Sequence, residues 1–397
     1  PTTAEVAFNV ADAHQGRGLG SVMLEHLAAI GDELGLGRFT ADVLPENRQM
    51  MNVFTEAGYE VAHRFEDGVI AVSFEIQPNE TSRTVREARE QRAESRSVAR
   101  VLRPESVVMI GVSRREGTIG HKVLEEIVAG GYTGRLEVVH PEVPELLGIT
   151  TTPSVREVEG PVDLAIVALP AEKVHEVVAD CAAIGVRSVL VVSAGFAEAG
   201  EEGARRQREL LRLVHWHGMR LVGPNSYGLS NSAQEVSLNA TLGAPSVRGR
   251  FGLFAQSGAL GVSVTQMARQ RGVGLSTFVS AGNRADVSGN DLMQYWIDDE
   301  DTAAVGLYLE TLGNARKFFR ISQRLAARKP VIVIKSGTSG YGVPPGHLIR
   351  RSQASPEALD AMLRQSGVIR VSNLHQMFNV AQLALHQPLP EGRGVAI

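Results

Sequence analysis

The chain has 397 residues, 43% hydrophobic and 21% charged, the balance of a globular protein long enough for two or three domains with separate cores. A formal net charge of -4 argues against a phosphate-tracking surface, so no nucleic-acid partner is expected. Cys181 is the single cysteine, which excludes an internal disulfide and fits a reducing cytoplasm, and the absence of an apolar run of about 18 residues predicts no membrane span. Pro1 in place of an initiator Met, and a close on EGRGVAI that opens like a strand, lead us to expect a chain cut at both ends.

Residues 1–77 form the first expected unit. AEVAFNV alternates as a strand, GSVMLEHLAAIGDELG has helical periodicity, FTADVL is a second strand, and ENRQMMNVFTEAG is a second helix ending at Gly58. YEVAHRFEDGVIAVSFEI then reads as a hairpin turning at Asp67-Gly68. Residues 78–103 are dense in Arg and Glu and read as a solvated helical linker, with a basic docking arm as the alternative. From Ser106, short apolar runs (SVVMIGVS, LEVVHP, LAIVALP, SVLVVSAG, MRLVGP) alternate with helical segments, which predicts a parallel sheet in a Rossmann-like domain over residues 104–235. FGLFAQSG, GLSTFVSAG, AVGLYLE, PVIVIKSG and VIRVSNLHQMFNVAQLAL repeat the alternation and predict a flavodoxin-like domain over residues 247–390. The fold class is α/β.

The stretch His14 to Met23, HQGRGLGSVM, sets three glycines between a strand and a helix. Gly16, Gly18 and Gly20 let backbone N–H groups converge on an anion with no Cβ in the way, and the helix dipole adds to the attraction. A tight turn with no ligand is the structural alternative. The pattern Gln15-x-x-Gly18-x-Gly20 resembles the pyrophosphate loop of the GNAT acetyltransferases, and AEVAFNV before it and PENRQMMNVFTEAGYE after it, with Asn47 and Gly58-Tyr59, extend the resemblance over residues 4–60. The resemblance implies acetyl-CoA held by Gln15, Gly16, Arg17, Gly18, Leu19, Gly20 and Ser21, with Asn47 on the CoA arm and Glu5 as general base for a lysine amine. A solvent-facing carboxylate is the alternative for Glu5. Phe54 stands where many members carry a tyrosine as general acid, Tyr59 being a weak substitute. The strands and helices that precede this segment in the family are missing, so the unit is expected to be the C-terminal half of a GNAT domain with an open core.

MIGVSRREGTIGHKVL places Gly111, Ser113, Gly117 and Gly120 on another strand-turn-helix suited to phosphate, wider than a GxGxxG fingerprint. With SAGFAEAGEEG, GPNSYGLSN, AQSGALG and SAGNRADVSGNDLMQYW, it resembles the CoA-binding and ligase domains of the NDP-forming acyl-CoA synthetases, over roughly residues 103–390. That resemblance implies CoA in the first domain and, in the second, phosphate contacts from Asn225, Ser226, Gln256, Ser257 and Gly258. It also implies a phosphorylated histidine near His347 and a carboxylate, Glu310, that orients it. His347 lies in GYGVPPGHLIRRSQASPEALD, without the Ser-His-Thr-Gly-Ala context of active members, and the ATP-grasp part that would charge it is missing. His215 and His217 flank Trp216 with no carboxylate pattern, so no metal site is expected, and Cys181 reads as core.

The joint pattern resembles bacterial protein lysine acetyltransferases, in which a degraded synthetase-like part senses acyl-CoA. The expectation is therefore acetyl transfer from acetyl-CoA to a lysine of a partner protein, with acyl-CoA synthetases as targets. The alternatives are an NDP-forming acyl-CoA synthetase working through a phosphohistidine and a non-catalytic acyl-CoA sensor, the latter being what the truncated chain would retain.

Overall fold

The computed structural model describes residues 2–258, 260–336, 356–388 and 392. It divides into two compact units, residues 1–93 and 94–397.

In the first unit the elements are β1 (Thr2–Glu5), α1 (Leu19–Glu33), β2 (Leu36–Val43), α2 (Arg48–Glu56), β3 (Val61–Glu66), β4 (Val69–Glu75) and the first part of α3 (Glu80–Leu102). The strands form one sheet in the order β1-β2-β4-β3, with β1 parallel to β2 and the other pairs antiparallel. The expected hairpin is present: Asp67 and Gly68 both take positive φ, as a two-residue turn between right-twisted strands requires. AEVAFNV is strand only through Glu5; Val6 adds one bond to Thr40 before the chain leaves the sheet. Leu24 and Ala28 of α1, Phe54 of α2 and Phe39, Val72 and Phe74 of the sheet make the core, while Ile30 of α1 and Leu34 just after it are exposed.

The second unit holds two seven-stranded sheets. The first contains β5 (Ser106–Ile110), β6 (Arg135–Val139), β7 (Glu145–Leu146), β8 (Ile149–Thr152), β9 (Leu164–Val167), β10 (Ser188–Val191) and β11 (Arg220–Val222). Helices α4 (Ile119–Gly130), α5 (Ala171–Ala183) and α6 (Glu201–Trp216) connect them. The order β11-β10-β9-β5-β6-β8 is the usual Rossmann order, with β7 added as an antiparallel edge. Burial on both faces explains why these strands read as unbroken apolar runs: Val107 and Met109 of β5 enter one core cluster, Val108 and Ile110 the other.

The second sheet contains β12 (Gly228–Asn231), β13 (Leu238–Thr241), β14 (Arg248–Ala255), β15 (Leu275–Ser280), β16 (Ala304–Leu309), β17 (Val331–Lys335) and β18 (Ile369–Val371). With it run α7 (Leu260–Gln270), α8 (Gly289–Asp298), α9 (Ala315–Ala326), α10 (Pro356–Gln365) and α11 (Leu374–His386). Its parallel part, β15-β14-β16-β17-β18, has the flavodoxin order, and the antiparallel pair β12-β13 extends its edge. The two sheets share one apolar layer, in which Val107, Leu124 and Leu164 cluster with Leu229, Leu307 and Val333.

The expectation of a solvated linker at residues 78–103 is corrected for its C-terminal part. Val98, Val101 and Leu102 are buried in that shared layer, Asn231 donates to the Leu102 carbonyl at 2.9 Å, and Arg220 bonds Glu94 and Ser97 at 3.0 and 2.8 Å. Leu102→Ala is therefore expected to lower the denaturant-unfolding free energy by about 2–5 kcal/mol, as for other buried leucines. Arg96→Ala, on an exposed position of the same helix, should shift it by less than about 0.5 kcal/mol.

Candidate functional site

Ligands of open α/β sheets bind outside the carboxyl ends of the strands, where the strand order reverses. In the first sheet that point lies between β5 and β9, and the chain leaving β5 is the Gly111 turn. Gly111 has φ of 88°, and a Cβ there would lie 2.6 Å from the Ala168 carbonyl oxygen. A Cβ on Gly120 would lie 2.2 Å from the Gly111 carbonyl oxygen, so glycine is what lets the first turn of α4 back directly onto the strand end. Gly117, with φ of 77° and open space around it, turns the chain into the helix. Ser113 fixes the loop: its hydroxyl accepts the Arg115 N–H at 3.1 Å, and its carbonyl meets His121 Nδ1 at 3.0 Å. The result is a bare loop against the N-terminus of a 12-residue helix, flanked by the exposed Arg114 and Arg115, an arrangement that favours an anionic guest.

The second sheet reverses between β14 and β16, and the residues leaving those strands are Gln256, Ser257 and Gly258 on one side and Glu310 on the other. Gln256 is spent on structure. Its Oε1 accepts the N–H groups of Glu310 and Thr311 at 2.6 and 2.9 Å, and its Nε2 donates to the Thr311 carbonyl at 2.8 Å. Gln256 thereby fixes the backbone from which the Glu310 carboxylate projects. Lys335, a residue that the sequence reading passed over, ends β17 with 7% exposure. Burial holds its amine below the ordinary lysine range, and the neighbouring Glu310 carboxylate pulls the other way. A lysine closing a five-residue apolar strand was the available signal.

Asn225 and Ser226 follow β11 of the first sheet and lie against residues that leave β14 and β15 of the second. Asn225 has φ of 58°, an uncommon state for a side-chain-bearing residue. A Cβ on Gly258 would lie 2.9 Å from its carbonyl oxygen and one on Gly282 2.3 Å away, so both walls of that slot require glycine. The Ser226 hydroxyl donates to the Ser280 carbonyl at 2.6 Å and accepts the Gly228 N–H at 2.9 Å. Ser193, in the turn after β10, accepts the Asn225 N–H on its carbonyl at 2.8 Å, while its own hydroxyl is buried with no protein partner.

In the first unit, Glu5 is the last residue of β1 and exposed. Gly16 and Gly18 take left-handed φ of 71° and 79°, and Gly20 lets α1 approach Val53 of α2, where a Cβ would come within 3.2 Å. Leu19 and Ser21 open α1. The Gln15 amide donates to the Val10 carbonyl and to Asp12 at 3.1 and 2.9 Å, and Arg17 meets His14 Nδ1 at 2.9 Å. Asn47 caps α2, accepting the Met50 N–H at 3.0 Å. Phe54 is buried, and Tyr59 stacks on Phe74, with burial raising its phenol pKa. His347 lies outside the described residues. Among the described residues no group of three or more His, Cys, Asp or Glu could hold a metal ion, and no helix is long and apolar enough to cross a membrane.

Residues 105–232 match the CoA binding domain family, residues 248–384 the succinyl-CoA ligase like flavodoxin domain, and residues 1–59 the acetyltransferase (GNAT) family. The chain is 38% identical over 289 residues to acetate–CoA ligase [ADP-forming] I of Archaeoglobus fulgidus, covering 72% of this chain and 42% of that protein. It is 35% identical over 295 residues to the alpha subunit of acetate–CoA ligase [ADP-forming] II of Pyrococcus furiosus, covering 74% of this chain and 64% of that one. The solved apo form of the dinucleotide forming acetyl-coenzyme A synthetase 1 of Ca. Korarchaeum cryptofilum superimposes with a TM-score of 0.70 at 31% identity, over 74% of this chain and 64% of that chain. The chain thus spans between two fifths and two thirds of the length of these relatives.

These findings overturn the expectation that the chain's function is lysine acetyl transfer. The synthetase-like similarity runs over about three quarters of the chain, whereas the GNAT match stops at residue 59, within a four-stranded sheet whose edge strand β1 has four residues. A protein lysine substrate is not shown. The chain carries an acyl-CoA synthetase-like region, a Rossmann-like CoA-binding domain followed by a flavodoxin-like succinyl-CoA ligase domain, behind a small N-terminal GNAT fragment.

Proposed function

We propose that this chain is the CoA- and phosphate-handling part of an ADP-forming acyl-CoA synthetase, which joins a carboxylic acid to CoA at the expense of ATP and releases ADP and phosphate. The observation that carries this reading is the pair of strand-order reversals in one compact unit, the second of them beside the Asn225 turn. The first crevice suits the diphosphate of CoA: the Gly111 turn carries no side chain there, and the opening of α4 offers N–H groups and a favourable dipole end. Gly117 and Ser113 shape this loop, and Gly120 keeps the helix close to the strand.

The second crevice would hold the phosphoryl group at Ser257 and Gly258, beside the Asn225 turn. Gln256 acts as a strut for Glu310, so that the carboxylate meets a reacting histidine in a fixed direction. In the synthetase resemblance that histidine is His347, which carries this role here as sequence inference alone. The Pyrococcus furiosus relative is an alpha subunit, which favours a second subunit as protein partner. Acyl-CoA is the small-molecule partner.

Calorimetric titration of the chain with CoA should give saturable binding. Gly120→Val, which drives a branched side chain into the Gly111 carbonyl, should weaken it at least tenfold, and Arg96→Ala should leave it unchanged. Absence of binding to the native chain would show the reading to be wrong. Gln256→Ala should orphan the N–H groups of Glu310 and Thr311, at about 1–3 kcal/mol for each donor left unpaired. Denaturant unfolding of the variant measures that loss.

A further inference from the structure

We propose that Glu198 and Asn283 form a latch that ties the CoA-side turn at 193–198, which leaves β10 beside the β9 edge of the first crevice, to the phosphate-side turn at 223–226, so that ordering one turn orders the other. Glu198 is then a positioning residue. The proposal rests on the reading that CoA occupies the crevice of the first sheet.

The circuit is closed at both ends. The Glu198 carboxylate folds back on its own turn, where Oε1 accepts the N–H groups of Gly195 and Phe196, the latter at 3.1 Å. Its Oε2 accepts from Asn283 Nδ2, 85 residues away in the chain. The same nitrogen donates to Gln207 Oε1 at 2.9 Å, and Gln207 accepts the Ala197 N–H at 3.3 Å. Asn283 thus reaches the turn directly through Glu198 and indirectly through Gln207 of α6.

On its other side Asn283 holds the phosphate-side turn. Its Oδ1 accepts from Asn225 Nδ2 at 3.4 Å, and its backbone N–H donates to the Pro224 carbonyl at 2.9 Å. Ala285 N–H adds a bond to the Gly223 carbonyl at 3.0 Å, and Asn225 N–H returns to the Ser193 carbonyl at 2.8 Å. The CoA-side turn has little room to slide, because a Cβ on Gly203 of α6 would already lie 1.9 Å from the Phe196 carbonyl oxygen.

Ser193 joins the two functions. Its carbonyl grips Asn225, while its buried hydroxyl has no protein partner. CoA that orders the turn at 193–198 stiffens Ser193, which already holds the left-handed Asn225, and the latch carries the ordering to Asn283 and Gly282, which walls the Asn225 slot. Two sites coupled through one element with a defined closed state are linked reciprocally: whatever the phosphate-side turn gains from CoA, CoA gains from phosphate. Burial pushes the Glu198 carboxyl upward, but the hydrogen bonds from Asn283, Gly195 and Phe196 outweigh it and leave its pKa below the ordinary glutamate value. The acceptor is ionised at neutral pH.

Hydrogen–deuterium exchange on the whole chain tests the latch. In the native protein, saturating CoA should slow exchange at 193–198 and also at 223–228 and 281–285, by tenfold or more in each segment. Glu198→Gln sets one amide NH2 against another, and even without CoA it should speed exchange at 223–228 and 281–285 at least tenfold while β9 and β14 stay as in the native chain. With CoA, that variant should gain protection at 193–198 alone, and Asn283→Ala, which leaves the carboxylate on its own turn, should behave likewise. A structural loss without coupling would lower all three segments together.

The proposal is overturned if CoA protection in the native chain is confined to 193–198, or if the variants pass it on undiminished. The native measurement decides this even where a variant does not fold. A native chain that fails to bind CoA would sink the reading of the first crevice, and the ligand-free comparison of Glu198→Gln with the native chain would still decide the latch.

Discussion

The carbonyl oxygen of Asn225 occupies a slot that no side chain can share, with Gly258 on one wall and Gly282 on the other. Three chain segments that leave the ends of β11, β14 and β15 can meet there only because two of them present bare backbone. The cost is a left-handed Asn225, a strain of order 1–3 kcal/mol that persists only where the surroundings over-determine it. Here they do: Ser193 takes its N–H, Asn283 its side-chain amide, and the hydroxyl of the adjacent Ser226 bonds Ser280. That one arrangement fixes where the chain leaving the first sheet meets the second.

The same principle, a glycine where backbone must touch backbone, governs the Gly111 turn, but the spacing hides it. Gly111 and Gly120 are nine positions apart, yet the Cβ-free surface of one rests on the carbonyl of the other. A spacing rule based on shorter turns sees three scattered glycines. The contacts show that Gly111 lets the chain turn against the residues leaving β9, Gly117 turns it into the helix, and Gly120 serves close strand-helix packing, the role of the last glycine in tighter dinucleotide loops.

Much of the architecture was legible in the residues. Strands such as LAIV and VIVIK stand out because both faces are buried, and their alternation with helices implies parallel sheets. The β12-β13 pair was not legible, since its Ser230, Asn231 and Asn239 interrupt any apolar alternation. Asn231 is in fact buried, its amide spent on the Leu102 and Ala233 backbones. The last turn of α3 was misread for a related reason: three core residues follow a long Arg and Glu run, whose composition outweighs them in any window. Gln256 and Glu198 could be seen as residues of motifs but not as struts, because their partners are separated by 54 and 85 residues in the chain.

The acetyltransferase expectation failed on a question of scale. A glycine-rich strand-turn-helix describes a local cradle, and the left-handed Gly16 and Gly18 do bare the backbone there. Reaction class belongs to the larger assembly of loops that meets the substrate, and in this chain the synthetase-like match lies in the second unit. The chemistry of Glu198 sharpens the point. A carboxylate whose pKa is depressed by surrounding donors makes a poor proton carrier near neutrality, because it holds its charge in order to keep those donors. It is suited to holding geometry. The hydrogen bonds that run from the turn at 193–198 through Glu198 and Asn283 to the turn at 223–226 therefore hold geometry across 85 residues of chain.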